Sequence, residues 1–382
     1  MRRPAFIGLV LALALVFWPW ETGAQPSPLH LLGQLSFESR RTFQDTTVGG
    51  LSGLAFDAKR NVYYAVSDDR GENQPPRFYT LQIDADASGI ADVRIVGVTF
   101  LDSDAATPGI QPFQRGDSDL EDLELLADDT LILSSERDRD NKPWLRRFAL
   151  DGTLLGEIPI PPRFMSVVEA GADGRPRVIR GMRNNLAFEG LALTPTQDTL
   201  FAVNEQALAQ DGPPTSVDSG SNVRILRMER YGADYRPTSE YVYAVEKVFA
   251  ASTDPNIPAD NGVSAMVWIR HVLPQYDLLT LERAFATGVG NDVNVYGVQL
   301  EDATDVRDLD ALPSPFTGRT ARKTLLANVS ALGVKPDNLE SLALGPRLPN
   351  GHQTLILLSD DNFSAAGAPQ INQFILLEID AP

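Results

Sequence analysis

Short apolar runs with a period of two recur along the chain, bounded by Gly, Pro, Asn and Asp, and amphipathic helical periodicity is not sustained anywhere. Five of the runs share one opening: a large residue, then Ser or Glu, then two apolar positions two apart, as in Leu51, Ser52, Leu54 and Phe56. The polar position is Ser52, Glu121, Glu189, Ser264 and Glu340, at intervals of 69, 68, 75 and 76 residues. A second apolar run follows each and ends in an acid, at Asp68, Glu136, Glu205, Glu282 and Asp360. A period this long and regular predicts repeated units that cannot bury their own apolar faces and must stack against one another.

Four strands per unit follow from the alternation. They are predicted at 50–56, 62–67, 77–83 and 93–100; at 120–126, 130–135, 144–150 and 153–158; at 188–193, 199–204, 223–231 and 240–245; and at 263–269, 277–281, 293–300 and 322–329. The fifth unit offers only 339–344, 354–358 and 373–379, while 31–37 belongs to no unit. Pairing 31–37 beside 373–379 would close a ring and remove the exposed edges. The expected fold is therefore an all-β, five-bladed β-propeller with four-stranded blades, with six blades as the alternative if a long loop hides further strands.

Within the inner strands, large residues alternate with small ones such as Gly53, Ala55, Gly190, Ala192 and Ala343. This puts bulk on one face and little on the other, as interlocking blades require.

In such a ring the start of each first strand and the end of each second lie at one mouth of the central channel. Glu121, Glu189 and Glu340 would face the axis, with Asp68, Glu136, Glu205, Glu282 and Asp360 beside them, so that eight carboxylates crowd one place. Like charges at that density raise one another's pKa or demand counter-charge. Ca²⁺ held by oxygen ligands would supply it, as would bases from nearby loops: Arg70, Arg77, Arg137, Arg139, Arg183 and Arg283. Acids rimmed by Arg make a site for a small anionic or phosphorylated ligand bridged by metal, with Arg70, Arg77, Arg183 and Arg283 as its clamp. The competing reading is that each acid accepts backbone N–H groups of the next blade and only holds the ring together.

Composition narrows these choices. Arg2-Arg3, an apolar run from Phe6 to Trp18 and small residues to Ala24 have the parts of a secretory signal, so residues 1–24 are expected to be removed, leaving 25–382 as one exported domain. The expected location is periplasmic or secreted, without a stable membrane anchor after cleavage. There is no cysteine, hence no disulfide and no thiolate metal site. A net charge of −18 disfavours nucleic acid as a partner. His30, His271 and His352 lie far from the repeat openings, which leaves a Ser-His-acid mechanism little to draw on. Asp84, Asp86, Ser88 and Gly89 begin like a calcium loop, but Ile95 stands where the closing Glu belongs, so a hairpin turn is expected there.

Several segments carry a family resemblance: Gly49 to Leu54, Tyr64 to Arg70 with Arg77-Phe78-Tyr79, Phe188 to Leu193, Asp337 to Glu340, and Leu357 to Phe363 followed by Gln373-Phe374. In order and interval they resemble the phytase-like, or "esterase-like activity of phytase", family across roughly Leu31 to Ile379. The Asp-Ala-Ala-Asp-Asp run of the alkaline propeller phytases is absent. The resemblance implies hydrolysis of phosphoric esters and carries over no catalytic set. Two functions stay open: a metal-assisted phosphoric ester hydrolase, and a non-catalytic propeller that binds a ligand or partner through its long loops.

Overall fold

The computed structural model describes residues 27–171, 173–364 and 370–380; the expected signal segment lies outside them. Five four-stranded antiparallel sheets follow in chain order. Blade one is Leu51–Asp57, Val62–Ser67, Arg77–Asp86 and Gly89–Phe100; blade two is Leu120–Leu125, Thr130–Ser135, Trp144–Ala149 and Leu154–Ile158. Blade three is Phe188–Leu193, Thr199–Asn204, Ser221–Tyr231 and Asp234–Val245; blade four is Asp260–Trp268, Leu278–Ala286, Gly290–Gln299 and Arg322–Asn328. Blade five takes Leu339–Arg347, Gln353–Ser359 and Ile371–Ile379 from the C-terminal end and Leu29–Glu38 as its outer strand. Leu29 faces Ile379 and Glu38 faces Ile371, so the ring closes through the N-terminal strand as the pattern predicts.

The propeller has five blades. The long loop after blade two does contain strands, Val167–Ala170 and Pro176–Arg180, but they form a two-stranded ribbon of their own. Asp86 pairs with Gly89 across a tight turn, which makes the Asp84 to Gly89 stretch a hairpin.

The core is five apolar layers, each shared by neighbouring blades, with a small further cluster of Val242, Val306 and Leu312. One joins Leu281 of blade four to Leu342, Leu357 and Ile375 of blade five. Another joins Ile132 and Leu145 of blade two to Leu191 and Leu226 of blade three. Burying one such side chain is worth about 1.5–3 kcal/mol, so no blade is stable without its neighbours. The alternation of large and small residues works as expected at the axis: a Cβ on Gly190 would lie 2.8 Å from the backbone nitrogen of Met266 in the next blade. At the other end of the channel, half-buried Phe56, Leu125, Leu193, Trp268 and Leu344 line an apolar cavity of about 770 Å³.

Candidate metal and anion centre at the channel mouth

Every blade breaks register at the same point. Leu51 pairs with Ser67, Leu120 with Ser135, Phe188 with Asn204, Val263 with Glu282 and Leu339 with Ser359, and each pairing is followed at once by a bulge or irregularity in the inner strand. The residue in that break is the repeated polar one: Ser52, Glu121, Glu189, Ser264 or Glu340. An unpaired residue in a bulge lets the strand re-aim a side chain, here toward the channel. The two Ser have other uses, since Ser52 Oγ donates to Gly50 O at 3.3 Å and Ser264 Oγ to Leu339 O at 3.0 Å.

The partner strands deliver the second set of acids. Asp68, Glu136, Glu205 and Asp360 each follow the paired residue and bond through their own N–H to the residue before the inner strand, at 2.6, 2.8, 2.7 and 2.9 Å. Asp68, Glu205 and Asp360, together with Glu121, Glu189 and Glu340, line two adjoining cavities of about 200 and 270 Å³ that share Asp68, Asn185 and Asn362, and Glu136 is buried beside Glu121 and Glu189. Asp119 and Asp260 join them, although the sequence reading passed over both.

Glu282 does not belong to this group. In the register of blade four it stands opposite Val263, the position held elsewhere by Ser67, Ser135, Asn204 and Ser359. One residue of slip turns a side chain to the other face of a sheet. Glu282 accepts Tyr243 Oη at 2.7 Å, Asn261 Nδ2 at 3.1 Å and the Glu246 N–H at 3.0 Å, and pairs with Lys323. The position equivalent to the other four acids is Arg283, which is therefore part of the acidic ring. Its Nη2 lies 3.3 Å from both Glu205 Oε1 and Glu340 Oε1.

The other arginines divide. Arg70, 37 % exposed in its side chain, stands at the rim 3.4 Å from Asp119 Oδ2. Arg137 is buried against the same oxygen at 2.5 Å and donates to Asn184 Oδ1 and Asn185 Oδ1 at 2.5 Å each. Arg77 is no clamp: it is fully buried, pairs with Asp69 at 2.8 Å, and donates to Tyr79 Oη and Thr47 O at 2.7 Å. Its strand runs away from the mouth, and the guanidinium packs between Tyr79 of blade one and Phe363 from the loop of blade five. Arg183 is also occupied, donating to the carbonyls of Ala207 at 3.0 Å and Gly212 at 2.7 Å in the loop beside it.

The electrostatics of the mouth are unbalanced. Burial first, then repulsion among themselves, pushes Asp68, Glu121, Glu189 and Asp360 well above the usual carboxylate range. Burial raises Glu205 and Glu340 as well, against the pull of Arg283. Glu136 is pushed up to about 7 by burial and by Asp119, partly held back by the Ala187 N–H that its Oε1 accepts. That bond crosses from blade two to blade three, so the ring-holding role expected of the acids is real at Glu136.

Asp361 does the same between blades five and one, its Oδ1 accepting the Gly50 N–H at 2.9 Å. Gly50 is required there: its φ is +63°, and a Cβ would sit 2.5 Å from Asp68 O. Asp68 Oδ1 and Glu136 Oε2 are different. Both are buried and neither finds a hydrogen-bond donor among the described residues.

One carboxylate oxygen each from Asp68, Asp119 and Glu121 lie within 4.8 Å of one another, and so do those from Glu121, Glu136 and Glu189. An all-oxygen, anionic donor set with orphaned buried oxygens fits a hard divalent cation. No helix among the described residues is long and apolar enough to cross a membrane.

Similar solved folds include a periplasmic gluconolactonase of Pseudomonas aeruginosa, 11 % identical over 88 % of this chain and 87 % of that one, at a TM-score of 0.34. A glucose dehydrogenase is 14 % identical over 92 % and 91 %, at 0.36, and the WD40 propeller domain of Doa1 is 10 % identical over 92 % and 94 %, at 0.31. Likenesses this distant carry no argument about chemistry. No curated protein matches the sequence. The family model described as "Esterase-like activity of phytase" matches residues 46–363, which span the inner strand of every blade and the whole acidic mouth, and the chain therefore belongs to the phytase-like family.

Proposed function

We propose that this propeller is an exported hydrolase of phosphoric esters that works with a divalent cation, Ca²⁺ in the first instance, held by the acids of the channel mouth. The observation that carries the reading is a set of buried carboxylate oxygens without a hydrogen-bond donor, Asp68 Oδ1 and Glu136 Oε2 among them, in a cluster whose acids outnumber its bases. Family membership supports the reaction class. When bound, a divalent cation supplies charge to phosphoryl oxygens and lowers the pKa of a water.

The chain's own residues do the rest. Glu121, Glu189 and Glu340, re-aimed by their bulges, present oxygens to the cavity. Arg283 keeps Glu205 and Glu340 apart from the charge they would otherwise share. Arg70, partly exposed at the rim and 3.4 Å from Asp119 Oδ2, is placed to meet an anionic oxygen entering the cavity. The net charge of −18 opposes a free polyanion, and a metal-complexed phosphate ester escapes most of that repulsion.

The test is a panel of phosphomonoesters, phosphodiesters, inositol phosphate and carboxyl esters assayed with Ca²⁺ and with chelator. Turnover of a phosphoric ester that chelation abolishes and Arg70→Ala lowers in kcat/KM is the expected result. Silence across the panel would overturn the hydrolase and leave a ligand-binding propeller.

A further inference from the structure

We propose that the mouth holds two cations side by side, with Glu121 as the ligand they share; this rests on the cation reading above. The acids form two triads, Asp68, Asp119 and Glu121 on one side and Glu121, Glu136 and Glu189 on the other, which meet only at Glu121. Oxygens on opposite sides of one Ca²⁺ are separated by about twice the bond length of 2.3–2.6 Å, or about 5 Å. Three oxygens within 4.8 Å of one another therefore fit a single coordination sphere, and each triad satisfies that condition by itself.

The second observation is independent of the acids' mere proximity. Each triad contains a buried oxygen with neither a hydrogen-bond donor nor an ion-pair partner: Asp68 Oδ1 in the first, where Asp119 Oδ2 also lacks a hydrogen bond but faces Arg137 as an ion pair, and Glu136 Oε2 in the second. Glu136 is 2 % exposed and its other oxygen is already committed to the Ala187 N–H, so the free oxygen has no water-exposed alternative. A buried carboxylate oxygen left unpaired is costly, and a single ion in either triad would leave the orphan of the other unrelieved.

The two positions are unequal. Asp119 already shares its charge with Arg137 at 2.5 Å and lies near Arg70, whereas no base pairs with Glu136 or Glu189 among the described residues. The Glu121, Glu136 and Glu189 position should fill first, and the Asp68, Asp119 and Glu121 position, beside Arg70, second. A phosphoryl group bridging the pair would meet one cation on each side, the arrangement that stabilises both the attacking and the leaving oxygen of an in-line displacement.

Titration calorimetry of the full mature chain with Ca²⁺ should show two equivalents in two steps. Glu136→Gln should remove the tighter step, Asp119→Asn the weaker, and Glu121→Gln should weaken both. Mn²⁺ loaded to two equivalents should give the broadened, exchange-coupled electron paramagnetic resonance signal of ions on the order of 4 Å apart, a readout that needs neither a variant nor turnover. Circular dichroism confirms that each variant is folded before its step is counted. One equivalent in the wild-type chain, an uncoupled Mn²⁺ spectrum, or loss of the same step in Glu136→Gln and Asp119→Asn would overturn the two-cation site. A single equivalent with chelator-sensitive turnover would leave the hydrolase standing, and two equivalents without turnover would sink only the hydrolase.

Discussion

Asp122 Oδ2 accepts the backbone N–H of Leu191 at 2.7 Å, across the seam between blades two and three. Its other oxygen accepts the N–H of Leu123 at 2.8 Å, and Glu124 repeats the crossing one turn of the pleat further on, to Leu193 at 3.0 Å. Along this one strand, then, Glu121 serves the cavity while Asp122 and Glu124 face the neighbouring blade. The alternation of the strand sets Glu121 on the face opposite Asp122 and Glu124, and the register break between Leu120 and Leu123 takes Glu121 out of the pairing with the second strand.

Asp122→Ala leaves two buried N–H groups without an acceptor and should lower stability by about 2–4 kcal/mol. Asp122→Asn keeps one acceptor and should cost less. Urea unfolding at pH 7 separates the two, and equal losses would show that the seam does not depend on this bond.

The closing strand makes a stronger demand. Removing residues 27–38 exposes the whole edge of Ile371–Ile379 and strips Leu29 from the layer it shares with blades four and five. A loss of several kcal/mol is expected, with a tendency to self-associate through the open edge. An unchanged melting temperature would mean that the ring is held elsewhere.

Arg77 and Arg70 should part company under mutation. Arg77→Ala abandons the fully buried carboxylate of Asp69 and should cost about 3–5 kcal/mol of stability. Arg70→Ala, at the half-exposed rim, should change stability by no more than about 0.5 kcal/mol and show its effect only on ligand. Thermal unfolding of both variants without ligand decides this.

The acids predict a pH dependence with a definite sign. Glu136 is raised to about 7 and Asp122 to about 8 in the folded chain, above their ordinary values of 4.5 and 3.8. Their stabilising contribution is complete below those ordinary values and is lost as pH rises through the folded ones, because the unfolded chain then releases protons that the folded chain holds. Acids lowered by exposed Arg partners, such as Asp129 at about 2, act only at still lower pH. Without metal, the melting temperature should therefore fall between pH 5 and about 8. Saturating Ca²⁺ should flatten that fall by binding the ionised acids.

Much of the fold is legible in the sequence. The period of the openings at Ser52, Glu121, Glu189, Ser264 and Glu340 predicts five blades, and the spare strand at 31–37 predicts the closure, because both follow from the two-residue alternation of the pleat. What could not be read was register. Leu281-Glu282 looks like Ser67-Asp68 in sequence, yet the pairing of Val263 with Glu282 shifts the frame by one and brings Arg283 to the axis. Side-chain spacing along one strand cannot show how it aligns with its partner. Arg77 was misplaced for a related reason: its charge suggests a rim, and only the packing of Tyr79 and Asp69 around it shows a core. Asp119 carried a faint signal, since it precedes an inner strand just as Asn338 does in blade five.

The pairing of Leu29–Glu38 with Ile371–Ile379 also dictates an order of events in folding. Blades one to four are meanders of neighbouring strands and can assemble as each is synthesised, whereas blade five joins the two ends of the described chain and must wait for the last strand. Contacts of such long range form late and slowly. Until then the first strand and the flank of blade one have no partner, which leaves the unclosed ring an open arc with two adhesive ends.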